Sequence, residues 1–287
     1  MQISLIQVPY HAGDDRAGSS RGPSRCLQAG ADQRLAAAGV SVRVAEVERG
    51  APFRDTVSAS LAVCGQLACA VREAVTAGDL PLVLAGGCDA SKGILSGFDH
   101  RSCGVVWFDA HADFNTPEST VTGYFPGMSM AVITGHCYGG AWSQLGNASP
   151  VSEADVVMLG VREVDLAEQE RLRRSAIQVV GWEAGKPQAS VMACLDRLAG
   201  RVEGVYLHID MDALDPEVAP GVIDQPVPGG LSLEQLEDAL NGVAERFRIK
   251  AAALATYNPD RDQNDRTLGT ALRILEMLGR CLPREGL

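Results

Sequence analysis

The sequence predicts an α/β protein of three layers, a doubly wound and mainly parallel sheet of about eight strands between two helical layers. Three observations predict it. Short apolar runs recur along the chain, longer stretches of helical spacing fall between them, and no Ser/Gly/Pro-rich linker, charge block or internal repeat interrupts the alternation. Runs such as Val105-Val106-Trp107-Phe108 and Val205-Tyr206-Leu207-His208-Ile209 are apolar almost without a break. That suits strands buried on both faces, the condition of a parallel sheet covered on each side by crossover helices.

Strands are expected at 3–8, 40–47, 80–84, 103–109, 155–161, 177–180, 205–210 and 251–256. Helices are expected at 23–38, 58–77, 91–97, 166–174, 189–199, 232–246 and 266–280. Ser232 followed by Gln235 has the spacing of a capping box. The stretch 115–150 has little periodicity, and a long loop at a strand's carboxyl end commonly lines a binding site. The 261–280 region mixes charges like a solvated amphipathic helix.

A chain of 287 residues with 46% hydrophobic content can bury a large core, and residues 1–287 are expected to form a single domain. The net charge of −11 argues against nucleic acid or an anionic membrane as partner and fits a cationic small molecule. The eight cysteines include no CxxC pair, which suits reduced thiols in a cytoplasmic protein. The amino-terminal MQISLIQVPY lacks the basic start of a signal peptide, and no apolar run approaches the ~18 residues of a membrane span.

Two clusters carry the chemistry: Asp109-Ala-His111-Ala-Asp113 and Asp210-Met-Asp212. Each ends an apolar strand, and ligand crevices of open α/β sheets lie at the strands' carboxyl ends, so both should reach one rim. Four carboxylates there would repel one another unless cations neutralise them.

With these clusters the sequence resembles the arginase family, the ureohydrolases that include arginase, agmatinase and formiminoglutamase. Residues 9–23 look like its glycine-rich amino-terminal loop, and the run from Leu82 through Ala85-Gly86-Gly87-Cys88 stands where its first ligand motif lies. Asp109 to Pro117 and Asp210 to Pro216 are similar to its second and third motifs, while Gly160-Val-Arg-Glu-Val-Asp165 and Tyr257-Asn-Pro259 match two more. The resemblance implies two Mn²⁺ ions per chain. Asp109 and Asp210 would bridge them, His111 and Asp212 would complete one coordination shell, and Asp113 would complete the other. A bridging water, as hydroxide oriented by Asp113, would attack a planar guanidino-type carbon. Asn115 and Thr122 match positions that hold a substrate α-carboxylate, Asp165 one that receives the α-ammonium, and Glu168 a nearby contact through water. Asn115 and Thr122 are equally ordinary turn residues, and Asp165 also suits a helix N-cap. A homo-oligomer, trimer or hexamer, is expected from the resemblance alone.

Four departures qualify it. Cys88 stands where the family has a histidine ligand, with Asp89 as a rival one residue on; a thiolate would shift preference toward Zn²⁺ or Fe²⁺. Pro126 stands where arginases place a proton-handling histidine, so either the leaving group needs less help or water or another side chain supplies the proton. Thr256 replaces a glutamate that pairs with the guanidinium and cannot neutralise a cation. The loop 222–230 is one residue longer than usual, which brings Asp224 or Gln225 into question. Of the other histidines, His11, His100 and His136 read as structural or solvated, and His208 either supports Asp210 from the same strand face or is a core residue. The expected function is a binuclear-metal hydrolase of a C–N bond, acting on N-hydroxyarginine-like or peptide-bound arginine rather than free arginine. The alternative is a non-catalytic protein of the same fold, a subunit or ligand-binding regulator.

Overall fold

The computed structural model describes residues 2–16, 18–48, 50, 55–145, 149–222 and 226–282. Its centre is a nine-stranded sheet made of β1 (Gln2–Val8), β2 (Ser41–Glu46), β3 (Leu80–Ala85), β4 (Cys103–Phe108), β5 (Val156–Val161), β6 (Gln178–Glu183), β7 (Lys186–Pro187), β8 (Gly204–Asp210) and β9 (Arg248–Ala255). They lie in the order β2-β1-β3-β9-β8-β4-β5-β6-β7. Every pairing is parallel except β6 with β7. All eight expected strands are present, and the ninth, the two-residue β7, is too short to carry a sequence period.

The central strands are buried along their whole length because successive side chains enter two different cores. On β4, Val106 and Phe108 face one layer while Val105 and Trp107 face the other. On β8, Val205, Leu207 and Ile209 alternate in the same way with Tyr206. The first layer holds helices Gly22–Gln28, Ala31–Ala37, Val191–Ala199, Leu233–Arg246 and Arg266–Cys281; the second holds Thr56–Thr76, Ser91–Ser96 and Ser129–Ile133.

Three details differ from expectation. The helix anticipated over 23–38 is broken at Gly30, whose φ of +88° leaves the helical region at no Cβ cost. The 115–150 stretch contains helices Ser129–Ile133 and Gly140–Gln144, each barely more than a turn. The Arg266–Cys281 helix is less solvated than its charges suggested, since Leu268, Ile274, Leu275 and Leu278 join the core. The capping box at Ser232 is present: Gln235 N donates to Ser232 Oγ at 3.2 Å and Ser232 N to Gln235 Oε1 at 2.9 Å. All eight cysteines are free. Among the described residues no helix is long and apolar enough to cross a membrane.

Candidate metal centre

The carboxyl ends of β3, β9, β8 and β4 stand side by side, and each delivers one polar residue to the same rim. After β3 the chain turns through Gly86 and Gly87 into Cys88. A Cβ on Gly86 would sit 2.5 Å from Tyr10 O, and one on Gly87 would lie 2.9 Å from His11 Nδ1. The glycine pair therefore lets the amino-terminal loop close over this turn. Directly after β4 comes Asp109, β8 ends in Asp210, and Thr256 follows β9.

The acidic side chains are almost fully buried and hold one another. Asp109 Oδ2 accepts from Trp107 Nε1 at 2.9 Å, and Oδ1 accepts from His111 N at 2.8 Å. His111 Nδ1 lies 3.4 Å from Asp109 Oδ1 and 3.1 Å from Asp212 Oδ2. Asp212 Oδ1 accepts from Ala110 N at 3.0 Å, stitching the second cluster to the first. Cys88 Sγ donates to Asp210 Oδ2 at 2.9 Å, and Asp212 N donates to Asp210 Oδ1 at 2.7 Å. Asp89, the rival of Cys88, points elsewhere and accepts from Ser60 Oγ beneath the long helix.

Electrostatics record the crowding. Burial, then the charge of Asp212, pushes the Asp109 carboxyl up to about 7. Burial and the neighbouring Asp109 raise Asp113 well above the carboxylate range, and burial with Asp212 and Asp109 does the same to Asp210. Burial also raises Asp212, but the hydrogen bond and charge of His111 outweigh it and hold this carboxyl at about 2. Burial would lower His111, yet Asp109 and Asp212 raise it strongly, so the imidazolium sits between two carboxylates as a cation would.

Two groups of donor atoms result, each within a 4.8 Å span: Cys88, Asp109, His208 and Asp210, and Asp109, His111 and Asp212. Asp109 belongs to both. Asp113, at φ +49°, belongs to neither but lines the same small cavity with Cys88, Asp109, His111, Asp210 and Asp212. His208 is the member the sequence placed least well. Its ring stacks on Trp107 with centroids 3.6 Å apart, and its buried Nε2 has no hydrogen-bond partner. A partnerless imidazole nitrogen among carboxylates and a thiol fits a divalent cation.

Thr256 lines the inner cavity and hydrogen-bonds within the cluster. Its hydroxyl donates to Asp210 Oδ1 and accepts from Met211 N at 3.2 Å. It does so at φ +71°, a conformation that a β-branched residue rarely adopts. The structural cost of that backbone is of order 1–3 kcal/mol, retained where surroundings over-determine it.

An open cleft of about 570 Å³ leads to the cluster, lined by His111, Asp113, Asn115, Thr122, Asp165 and Glu168 among others. Asn115 Nδ2 donates to Asp165 Oδ2 at 3.0 Å. Glu168 is buried; it accepts from Phe114 N at 2.6 Å and from Asp165 N at 3.3 Å, so it fixes the loop and opens the Leu166–Arg174 helix. Burial raises its carboxyl in spite of those bonds. One residue of the cleft wall escaped the sequence reading. Tyr124 lines both the cleft and the inner cavity, and its OH lies 2.9 Å from His11 Nε2. Its separation of 113 positions from His11 leaves no spacing signal; only its place in the long 115–150 stretch pointed to the site. His100 and His136 are structural, bonded to Ser149 O at 2.8 Å and Glu153 Oε1 at 2.6 Å. Asp224 and Gln225 lie outside the described residues.

Comparison with known proteins shows the family. The arginase family model matches residues 1–279. The chain belongs to the arginase family. It is 32% identical over 292 residues to the arginase of Bacillus caldovelox, covering 96% of this chain and 97% of that one. The crystal structure of arginase from Bacillus cereus superposes with a TM-score of 0.86 at 31% identity, covering 99% of each chain. Arginase from Bacillus subtilis gives the same TM-score at 29% identity over the full length of both. Within this arginase fold, the departures at Cys88, Pro126 and Thr256 all line the one inner cavity, together with the clustered carboxylates.

Proposed function

We propose that this arginase-family chain is a two-metal hydrolase that cleaves the C–N bond of a guanidino-type amino acid, with an N-hydroxylated guanidine preferred over free arginine. The reading is carried by one arrangement: an acid-lined cleft that narrows onto the cavity where Asp109, His111, Asp113, Asp210 and Asp212 converge. Two divalent cations, manganese by family resemblance and zinc or iron where Cys88 contributes, would supply an activated water and polarise the substrate carbon. Asp109, His111, Asp210 and Asp212 would hold those cations with Cys88. Asp113 lines the same cavity and would orient the attacking water.

The cleft wall carries Glu163 and Asp165, with Glu168 buried behind them, and these carboxylates suit a free α-ammonium better than a peptide nitrogen. Asn115 and Thr122 offer neutral donors to the α-carboxylate. At the inner end, Thr256 already serves Asp210, so no spare carboxylate meets a full guanidinium there. Hydroxylation lowers the basicity of that group and with it the need for a counter-charge. On hydrolysis the water oxygen bonds to the guanidino carbon, the bond to the side-chain nitrogen breaks, and that nitrogen takes a proton. Tyr124, backed by His11, is placed to deliver it in place of the histidine lost at Pro126.

The test is a comparison of N-hydroxyarginine, arginine and an arginyl peptide with protein holding two equivalents of Mn²⁺. N-Hydroxyarginine should give hydroxyurea and ornithine with a kcat/KM at least ~10-fold above arginine. Full metal loading without turnover of any guanidino compound would sink the hydrolase reading in favour of a non-catalytic ligand-binding protein.

A further inference from the structure

We propose that His208 is itself a metal ligand in this chain, supplying from β8 the imidazole that the family's first ligand motif has lost at Cys88. The inference rests on the two-metal reading above and assigns one of its two positions. His208 and Asp210 share a face of β8, so the alternation Asp210-x-Asp212 extends backwards to His208-x-Asp210-x-Asp212. A ring nitrogen of His208 lies within 4.8 Å of donor atoms of Cys88, Asp109 and Asp210.

The ring is held as ligand imidazoles are held. Nδ1 meets Tyr206 OH at 2.9 Å and Ser91 Oγ at 3.2 Å, and these two hydroxyls are 2.9 Å from each other. With Nδ1–H donating into that pair, Nε2 carries the lone pair, the arrangement in which an outer partner fixes the tautomer of a metal-bound histidine. Stacking on Trp107 removes the remaining rotation, and Trp107 also donates to Asp109, so one indole positions two donors. Against this stands a purely packed histidine, but such a residue would not leave Nε2 buried and unbonded at 1% exposure among acceptors and a thiol.

The consequence is chemical. The inner position is offered sulfur, imidazole and two carboxylates, a donor set that favours Zn²⁺, Fe²⁺ or Co²⁺ over Mn²⁺. The outer position, formed by Asp109, His111 and Asp212, has no sulfur donor and keeps the character that suits Mn²⁺. A neutral imidazole also adds a bond without adding to the negative charge already gathered there.

Metal content and affinity decide the matter without recourse to activity. Wild-type protein should hold two equivalents of Zn²⁺ after dialysis. His208→Gln, and His208→Phe, which keeps the stack on Trp107, should hold one, with the other weakened by more than the ~100-fold that loss of an outer partner can cause. In the Co²⁺ form, the bands that arise from the thiolate-bound ion should change in both variants. Two equivalents, an affinity within ~10-fold of wild type and an unaltered Co²⁺ spectrum would overturn the assignment of His208 and leave the two-metal reading intact. Fewer than two equivalents in the wild type would remove both. Should the variants misfold, zinc-edge X-ray absorption on the unmodified protein answers independently: one sulfur and two imidazoles per two zinc ions support His208, and a single imidazole overturns it.

Discussion

Replacing Arg162 should damage this protein more than any other substitution outside the acidic cluster and the hydrophobic core. Its guanidinium donates to five carbonyl oxygens on three segments: Asp212 at 2.8 Å, Ala213 at 3.2 Å, Leu214 at 3.2 Å, Gly160 at 3.1 Å and Val227 at 2.8 Å. It thus ties the end of β5 and the 226–230 loop to the turn that carries Asp212. Burial lowers its pKa, although Asp212 and other carboxylates oppose the shift, so the charge is held by its bonds and neighbours. In Arg162→Ala the carbonyls of 212, 213 and 214 lose this donor inside a buried turn. At ~1–3 kcal/mol for each acceptor left bare, reduced where water enters, the cost is about 3–5 kcal/mol. That is a large share of the ~5–15 kcal/mol by which a folded protein is stable. Urea unfolding of metal-free protein avoids any linkage to bound cations. With a slope of ~2–3 kcal/mol/M, the midpoint should fall by roughly 1–2 M, and Arg162→Lys should recover only part because an ammonium lacks the planar fork. A midpoint within ~0.3 M of wild type would refute the view of this residue as the clamp of the turn.

Metal uptake should release protons, because Asp109, Asp113, Asp210 and His111 all have raised pKa values in the metal-free site. Calorimetry in buffers of different ionisation enthalpy will detect this, and affinity should rise from pH 5 to 8; a flat profile counts against it. The sign for stability follows from the same shift: a carboxyl raised from 3.8 to about 7 gives Asp109 a contribution fully present below pH 3.8 and lost as pH climbs toward 7. Metal-free protein should therefore lose this part of its stability across that window, as read by thermal melts, while metal-loaded protein should not. Tyr124→Phe should lower kcat about 100-fold with both metals retained, and a change under twofold would exclude Tyr124 as proton donor. Asp165→Asn should raise KM about 10-fold for a substrate with a free α-amino group and leave an N-acetylated one unaffected; equal effects on both would point to a loop-ordering role instead.

The sheet was legible because fully buried parallel strands print continuous apolar runs, and the runs at 103–109 and 205–210 lead straight into the acidic clusters. Elements too short to show a period were not legible, as at Lys186–Pro187 and Ser129–Ile133. In the site, the alternating Asp-x-His-x-Asp and Asp-x-Asp patterns located the rim, since period two puts such residues on one face. Side-chain direction was another matter. Only the family likeness ranked Cys88 over Asp89 in the sequence; in the fold, the turn through Gly86-Gly87 sends Asp89 under Ser60 and Cys88 to Asp210. Thr256 looked available to a ligand until its positive φ turned the hydroxyl onto Asp210. Tyr124 meets His11 only through tertiary packing, which no local spacing records.

The last strand in the chain, β9, lies in the middle of the sheet, between β3 and β8. During synthesis, β1 to β3 can pair on one side and β4 to β8 on the other, but the two partial sheets stay separate until residues 248–255 emerge. Each waits with an unpaired apolar edge strand, β3 or β8, the kind of surface that recruits other strands. The nascent chain is thus most prone to self-association late in translation, and slow emergence or a destabilised β9 should convert yield into inclusion bodies before any effect on the finished enzyme is visible.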